Sequence, residues 1–178
     1  MLRFLAISAS AVGALLLATA PARAVTTTYS VVMTGALEAL PNVGDPDGLA
    51  TGTITLDNTT GAISWNISYS NLDPLTGFHI HGPGGSPGNN AAVLVSLGTA
   101  TTGGAGTLIN STATTTANVN SIFANPTDFY VNIHTTAFLN GAVRGQLGVV
   151  VPEPDAAQLI GLGAVALGMI RRRKSKRR

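Results

Sequence analysis

The sequence predicts an all-β fold: a single antiparallel β-sandwich or barrel-like domain. A signal peptide is expected before it and a transmembrane sorting helix after it. Three observations carry this reading. Ile63, Trp65, Ile67 and Tyr69 alternate with Ser64, Asn66, Ser68 and Ser70, the period of two that marks a strand with one buried face. Turn-forming runs such as Asp57-Asn58-Thr59-Thr60-Gly61 and Asn140-Gly141 separate the apolar stretches. The middle of the chain is rich in Thr, Ser, Asn and Gly, whereas both ends are apolar and basic, so three segments of different physical character follow one another.

The first segment is 1–24. Arg3 precedes an apolar run from Phe4 to Ala20, and Ala22-Arg23-Ala24 supplies small residues at a cleavage site. This is the layout of a secretory signal peptide, with signal peptidase as the processing partner. The domain follows at 25–150. Strands are predicted at Tyr29–Thr34, Thr53–Leu56, Ile63–Tyr69, Gly77–His81, Ala92–Leu97, Thr107–Thr112, Phe129–Thr135 and Ala142–Val149. The pair around Asp57–Gly61 is expected to be a hairpin. One short helix is predicted at Val119–Ala124, ended by Asn125-Pro126. The stretch Gly98–Thr116 is low in complexity and is expected to be a mobile edge. The third segment is 151–178. Pro152-Glu153-Pro154 makes an extended break. Fifteen residues from Ala156 to Ile170 follow with Gln158 as the polar exception, then the basic tail that begins Arg171-Arg172-Arg173-Lys174. As a helix that span is about 22 Å long, short for a membrane unless the arginines snorkel and the bilayer thins. The basic tail keeps the C-terminus cytoplasmic and the domain outside.

The charge distribution removes a function class. Ten Lys and Arg against eight Asp and Glu suggest a basic protein, but seven of the ten lie in 171–178 and Arg3 and Arg23 lie in the leader. Between 25 and 150 Arg144 stands alone against Glu38, Asp45, Asp47, Asp57, Asp73 and Asp128, a net charge of −5. Such a surface cannot replace the counterions of a phosphate backbone, so nucleic acid is excluded as a partner. With no cysteine, disulfides, thiolate catalysis and cysteine-ligated metal sites are excluded too.

The residues with chemistry to offer are His79, His81 and His134. Residues two apart on a strand share a face. Phe78 and Ile80 should therefore face the core, with both neighbouring imidazoles on the opposite, polar side. On the later strand Phe129, Val131 and Ile133 should face the core, with Tyr130, Asn132 and His134 on that same opposite side. If the two strands are neighbours, three imidazoles converge, a donor set that suits copper or zinc. Asp45, Asp47, Asp73 or Asp128 could add a carboxylate. The competing reading is that polar residues, histidine included, simply face solvent. Arg144, the sole cation of the domain, is expected either to pair with an acid or to anchor by hydrogen bonds. The glycine-rich loop Gly82–Asn90 lacks the lysine and following helix of a phosphate cradle and is read as structural.

Two families are resembled on these residues. The Pro152-Glu153-Pro154 break, the short apolar span and the terminal arginines resemble the PEP-CTERM sorting signal of Gram-negative bacteria. The resemblance covers 151–178 and implies an exosortase-type membrane enzyme as processing partner, a membrane-spanning precursor and a cell-surface or extracellular destination. Gly77-Phe78-His79-Ile80-His81-Gly82-Pro83-Gly84, Phe129–Thr135 and Gly141-Ala142-Val143-Arg144-Gly145-Gln146-Leu147 resemble the CHRD domain, the module repeated in chordin and found singly in bacterial secreted proteins. That resemblance covers about Thr28 to Val149. It implies a β-sandwich-like module associated in animals with growth-factor binding, and Ala142 departs from it where the family usually carries an acid. The strand Gly77–His81 also resembles the copper strand of copper/zinc superoxide dismutase, without that family's cysteine pair, and so points to a metal rather than to an activity. The expectation is an exported cell-surface or extracellular-matrix binding module, non-catalytic, for a polymer such as exopolysaccharide, a protein or a second copy of itself. The alternative is a copper- or zinc-binding protein using His79, His81 and His134, redox-active if the ion is copper. Asn132 and Arg144 are the expected structural or binding residues beside them.

Overall fold

The computed structural model describes residues 25–151 of the 178, with the backbone alone for 149–151. The predicted signal peptide 1–24, the Pro152-Glu153-Pro154 motif, the sorting helix and the basic tail Arg171–Lys174 lie outside the described residues. Among the described residues no helix is long and apolar enough to cross a membrane.

Among the described residues nine strands form one antiparallel sheet: β1 Thr26–Thr34, β2 Leu49–Asp57, β3 Ala62–Leu72, β4 Leu75–His81, β5 Val93–Gly98, β6 Gly104–Ala113, β7 Tyr130–Thr135, β8 Val143–Gln146 and β9 Val149–Val151. Helix α1 spans Thr116–Ala124 between β6 and β7. The strand order is β5-β4-β7-β8-β1-β2-β3-β6, with β9 paired to β1 beyond β8. The sheet curls into a nearly closed barrel. Trp65 on β3 and Phe78 on β4 lie near opposite ends of the strand order, yet their rings meet edge to face at 5.6 Å. Of the two architectures the sequence allowed, the barrel is therefore the one formed.

Local chemistry explains the elements. The β2–β3 hairpin is held by Asp57, whose Oδ1 accepts from Thr59 N (2.7 Å) and Thr60 N (2.9 Å). Gly61 takes the positive φ of 73° that closes the turn. Helix α1 starts at Thr116, three residues before the predicted start, because the Thr115 hydroxyl accepts from Asn118 N and caps its first turn. Val119 and Ile122 bury its inner face. The core gathers Ile54, Leu56, Ile63, Ile67, Ile80, Val131, Ile133 and Val143, all fully buried.

One expectation is extended and one corrected. The strand predicted at Thr107–Thr112 inside the low-complexity stretch Gly98–Thr116 is present as β6, longer than predicted, and it does lie at an edge of the strand order. Gly104–Ala113 pairs with β3 over nearly its whole length, because Leu108 reaches the core while Thr107, Ile109 and Ser111 take the outer face opposite Ser68, Asn66 and Ser64, a pattern that pairs well despite its simple composition. The predicted strand Ala142–Val149 is two strands, β8 and β9: Leu147 N still bonds Phe129 O in register with β7, and the chain then turns to pair Val149–Val151 with β1. The Asn140-Gly141 turn is present, closed by Gly141 N to Phe138 O at 3.1 Å.

Candidate metal centre

Strands β4, β7 and β8 lie side by side, and their register builds a polar lattice on the face away from the core. His79 pairs with Asn132, which pairs in turn with Arg144; His81 pairs with Tyr130, which pairs with Gln146; Gly77 lies opposite His134. The alternation expected from the sequence is present, since Phe78, Ile80, Phe129, Val131 and Ile133 are all buried on the core side. The polar side, however, does not face solvent. Tyr130, Asn132 and Arg144 are 2, 2 and 1% exposed, and His81 is 7%.

A roof makes this second face an interior. The loop between β4 and β5 folds over it and is tied down by the one cation of the domain. Arg144 donates to the carbonyls of Asn89 (2.8 Å), Gly85 (2.7 Å) and Ser86 (3.2 Å), and its guanidinium lies 3.5 Å over the Tyr130 ring. Gln146 Nε2 adds bonds to the carbonyls of Gly85 and Thr127. Asp128 secures the start of the loop by accepting from Gly84 N (2.9 Å). Of the two roles open to Arg144, anchoring by hydrogen bonds is the one adopted. The planar fork suits several carbonyls at once.

Under the roof the three imidazoles converge. One ring nitrogen from each of His79, His81 and His134 lies within 4.8 Å of the others, and the ring centroids are 5.0 to 5.8 Å apart. Two of the rings are oriented from behind. His81 Nδ1 bonds the Ala91 carbonyl (2.9 Å) and His134 Nδ1 bonds the Leu139 carbonyl (3.0 Å). A carbonyl only accepts, so each Nδ1 carries the proton and each Nε2 keeps a free lone pair. Those two Nε2 atoms and His79 Nδ1 are buried with no hydrogen-bond partner. His81 is further held by stacking on Tyr130, with centroids 4.8 Å apart and planes 7° from parallel.

The electrostatics keep these rings neutral. Burial, then the neighbouring His134 and His81, push His79 down to about 4. Burial also lowers His81 and His134, against the opposing pull of their carbonyl partners. Neutral imidazole is the form that binds a transition metal. Three atoms no more than 4.8 Å apart share a centre at most about 2.8 Å from each. A zinc–nitrogen bond is roughly 2.0–2.1 Å, so an ion would have to draw the rings in by up to about 0.7 Å. Carbonyl-bound Nδ1–H groups behind a set of free lone pairs form the outer support that metal-ligating histidines commonly have.

The expected carboxylate ligand is not in this group. Asp45 instead accepts from Gly48 N (3.1 Å), and Asp128 serves the roof. An acid the sequence did not single out lies nearby. Glu38, from the β1–β2 connection, accepts from Asn132 Nδ2 (3.4 Å) and is raised to about 7 by burial, against the lowering effect of Arg144 and Asn132. Gly141 lets it approach. At φ +132°, a Cβ there would come within 2.6 Å of both Asn132 Nδ2 and Glu38 Oε1. Nothing in the local sequence marks Glu38, since contacts distant in the chain, Asp45 N to Ala142 O and Asn90 Nδ2 to Ala39 O among them, bring its connection to this face.

The family model for the CHRD domain matches residues 29–147, spanning every strand of the polar lattice and the roof above it. No curated protein and no solved structure matches the chain.

Proposed function

Since the chain belongs to the CHRD domain family, whose members are in general extracellular binding modules, we propose that it is an exported envelope protein that binds a copper or zinc ion through His79, His81 and His134. One observation supports this reading above the others: three imidazoles converge, and each has a buried ring nitrogen with no hydrogen-bond partner. A buried polar atom left unpaired costs about 1–3 kcal/mol, and three together in a solvent-facing structural role would be hard to account for. A bound ion satisfies all three at once. Nitrogen ligands without thiolate or carboxylate suit both copper and zinc.

The remaining parts of the proposal concern address. Segment 1–24 directs export, and 151–178, with Pro152-Glu153-Pro154 and Arg171–Lys174, directs handling by an exosortase-type enzyme from a membrane-spanning precursor. The support for these is the order of charge, apolar span and small or rigid residues in the sequence. The test of the metal reading is elemental analysis and calorimetric titration of the purified protein with copper and with zinc. One ion per chain is expected, lost in His134→Ala. A folded protein that takes up no stoichiometric ion, or a His134→Ala variant that binds as well as the parent, would overturn it.

A further inference from the structure

Which ion the three histidines take is decided by the donors around them and by charge, given the metal reading above. Among the described residues no carboxylate belongs to the group formed by His79, His81 and His134. The chain has no cysteine, and Met33 packs in the hydrophobic core. The donor set is therefore three neutral nitrogens. Zinc ordinarily takes four ligands and cupric copper a tetragonal set, so three nitrogens leave either ion short. Each imidazole has a buried, unpartnered nitrogen beneath the roof, which hinders solvent from completing the set.

Neutral imidazoles also carry no charge to offset an ion. The penalty for burying an ion rises with the square of its charge, so a divalent ion is penalised far more than a monovalent one. The fixed charge nearby has the wrong sign. His81, Tyr130 and Arg144 lie on the successive strands β4, β7 and β8. The guanidinium lies 3.5 Å over the Tyr130 ring, and that ring stacks on His81 with centroids 4.8 Å apart. Burial lowers the pKa of His81, and the Arg144 charge adds to that lowering. Its repulsion of a bound ion is proportional to the ion's charge. Glu38 is the acid bonded to this lattice, through Asn132 Nδ2, and burial raises it to about 7. Ionised, it offsets Arg144; neutral, it leaves Arg144 unopposed. The ion of lower charge is favoured in both states.

We infer that His79, His81 and His134 select cuprous copper over both zinc and cupric copper. The cuprous ion carries a single charge, its filled d shell imposes no geometry, and it is satisfied by fewer donors than either divalent ion. Imidazole nitrogen suits copper. His81 and His134 present fixed Nε2 atoms, because their Nδ1 groups are bonded to the Ala91 and Leu139 carbonyls. His79 completes the set.

Anaerobic competition on the purified protein tests this, with bathocuproine disulfonate reporting free Cu(I) and a chromophoric zinc chelator reporting free Zn(II). One Cu(I) per chain is expected, retained against a roughly hundredfold excess of zinc. In air the bound copper should stay silent in electron paramagnetic resonance, since oxidation would add the second charge that the site disfavours. Asn132→Asp sets a carboxylate opposite His79 in register. It should raise zinc affinity by at least about tenfold and narrow the preference for Cu(I). Displacement of Cu(I) by equimolar zinc, a cupric signal from the bound copper in air, or a zinc affinity unmoved by Asn132→Asp each overturns the inference and leaves the metal reading in place. A folded protein that takes up none of these ions overturns both. If Asn132→Asp does not fold, the zinc competition decides.

Discussion

The two halves of the barrel use the same strand alternation in opposite ways. On β3 buried and exposed residues alternate along nearly the whole strand; the inner face is core and the outer face meets water. On β7 five of six residues are buried and the sixth, His134, is half-buried. There both faces are interior, one packed with Val131 and Ile133, the other roofed by the β4–β5 loop. A polar residue on β3 can bond water at no cost. A polar residue on β7 must find a protein partner or leave an unsatisfied group. Arg144, Gln146 and Tyr130 find theirs in loop carbonyls and rings. The histidine lone pairs do not, and that difference marks the site.

The comparison breaks most clearly if the roof is released. Arg144→Met should destabilise the protein by about 3–5 kcal/mol, since it strands the carbonyls of Ser86 and Asn89, leaves that of Gly85 to Gln146 alone and removes the stack on Tyr130. Arg144→Lys should restore only part of this, lacking the planar fork. Denaturant unfolding of the three proteins measures both, and a loss under 1 kcal/mol for Arg144→Met would mean that the roof stands without its anchor. Next in size is the metal. His79→Ala should lower copper or zinc affinity by more than the roughly 10–100-fold typical of losing an outer-sphere partner, with little loss of apo stability, because the atom removed has no hydrogen bond. Competition titration gives the first quantity and thermal melting without metal the second.

A smaller effect is expected from pH. His79 titrates at about 4 in the fold against an ordinary value near 6.5, so the unfolded chain binds more protons between those values. The His79 contribution is therefore present above pH 6.5 and lost as pH falls through about 4. Glu38 has the opposite sign. Its folded value, about 7, lies above the ordinary 4.5, so its contribution is present below 4.5 and lost as pH rises through about 7. The two partly cancel in the parent protein. In Glu38→Gln the metal-free stability should rise more steeply between pH 4 and 7 than in the parent, and equal slopes would show that Glu38 is not held neutral. The smallest change is expected on the open half, where Ser68→Ala should alter stability by no more than about 0.5 kcal/mol. A loss comparable to that of Arg144→Met would erase the distinction between the two halves.

Much of this was legible from the chain alone. Period-two alternation placed nearly every strand, because side chains on a pleated strand point to alternate faces whatever surrounds them. The same rule put His79, His81 and His134 on one side and Phe78, Ile80 and Ile133 on the other. The Asp57–Gly61 and Asn140-Gly141 turns followed from backbone chemistry that is equally local. For β6 the predicted Thr107–Thr112 was met, but low complexity hid its full extent, Gly104–Ala113, since a Thr/Ser/Gly-rich segment carries little hydrophobic signal until Leu108 finds its core neighbours. What only the tertiary structure decided is that the polar side of β4, β7 and β8 is indoors. That depends on a loop returning from one strand to the carbonyl-binding arginine of another 55 to 59 residues away, and on the β1–β2 connection bringing Glu38 beside Asn132. A strand's own alternation states which residues share a face. Whether that face meets water or protein is set by segments distant in the chain, and this is what turned three polar residues into a candidate metal centre.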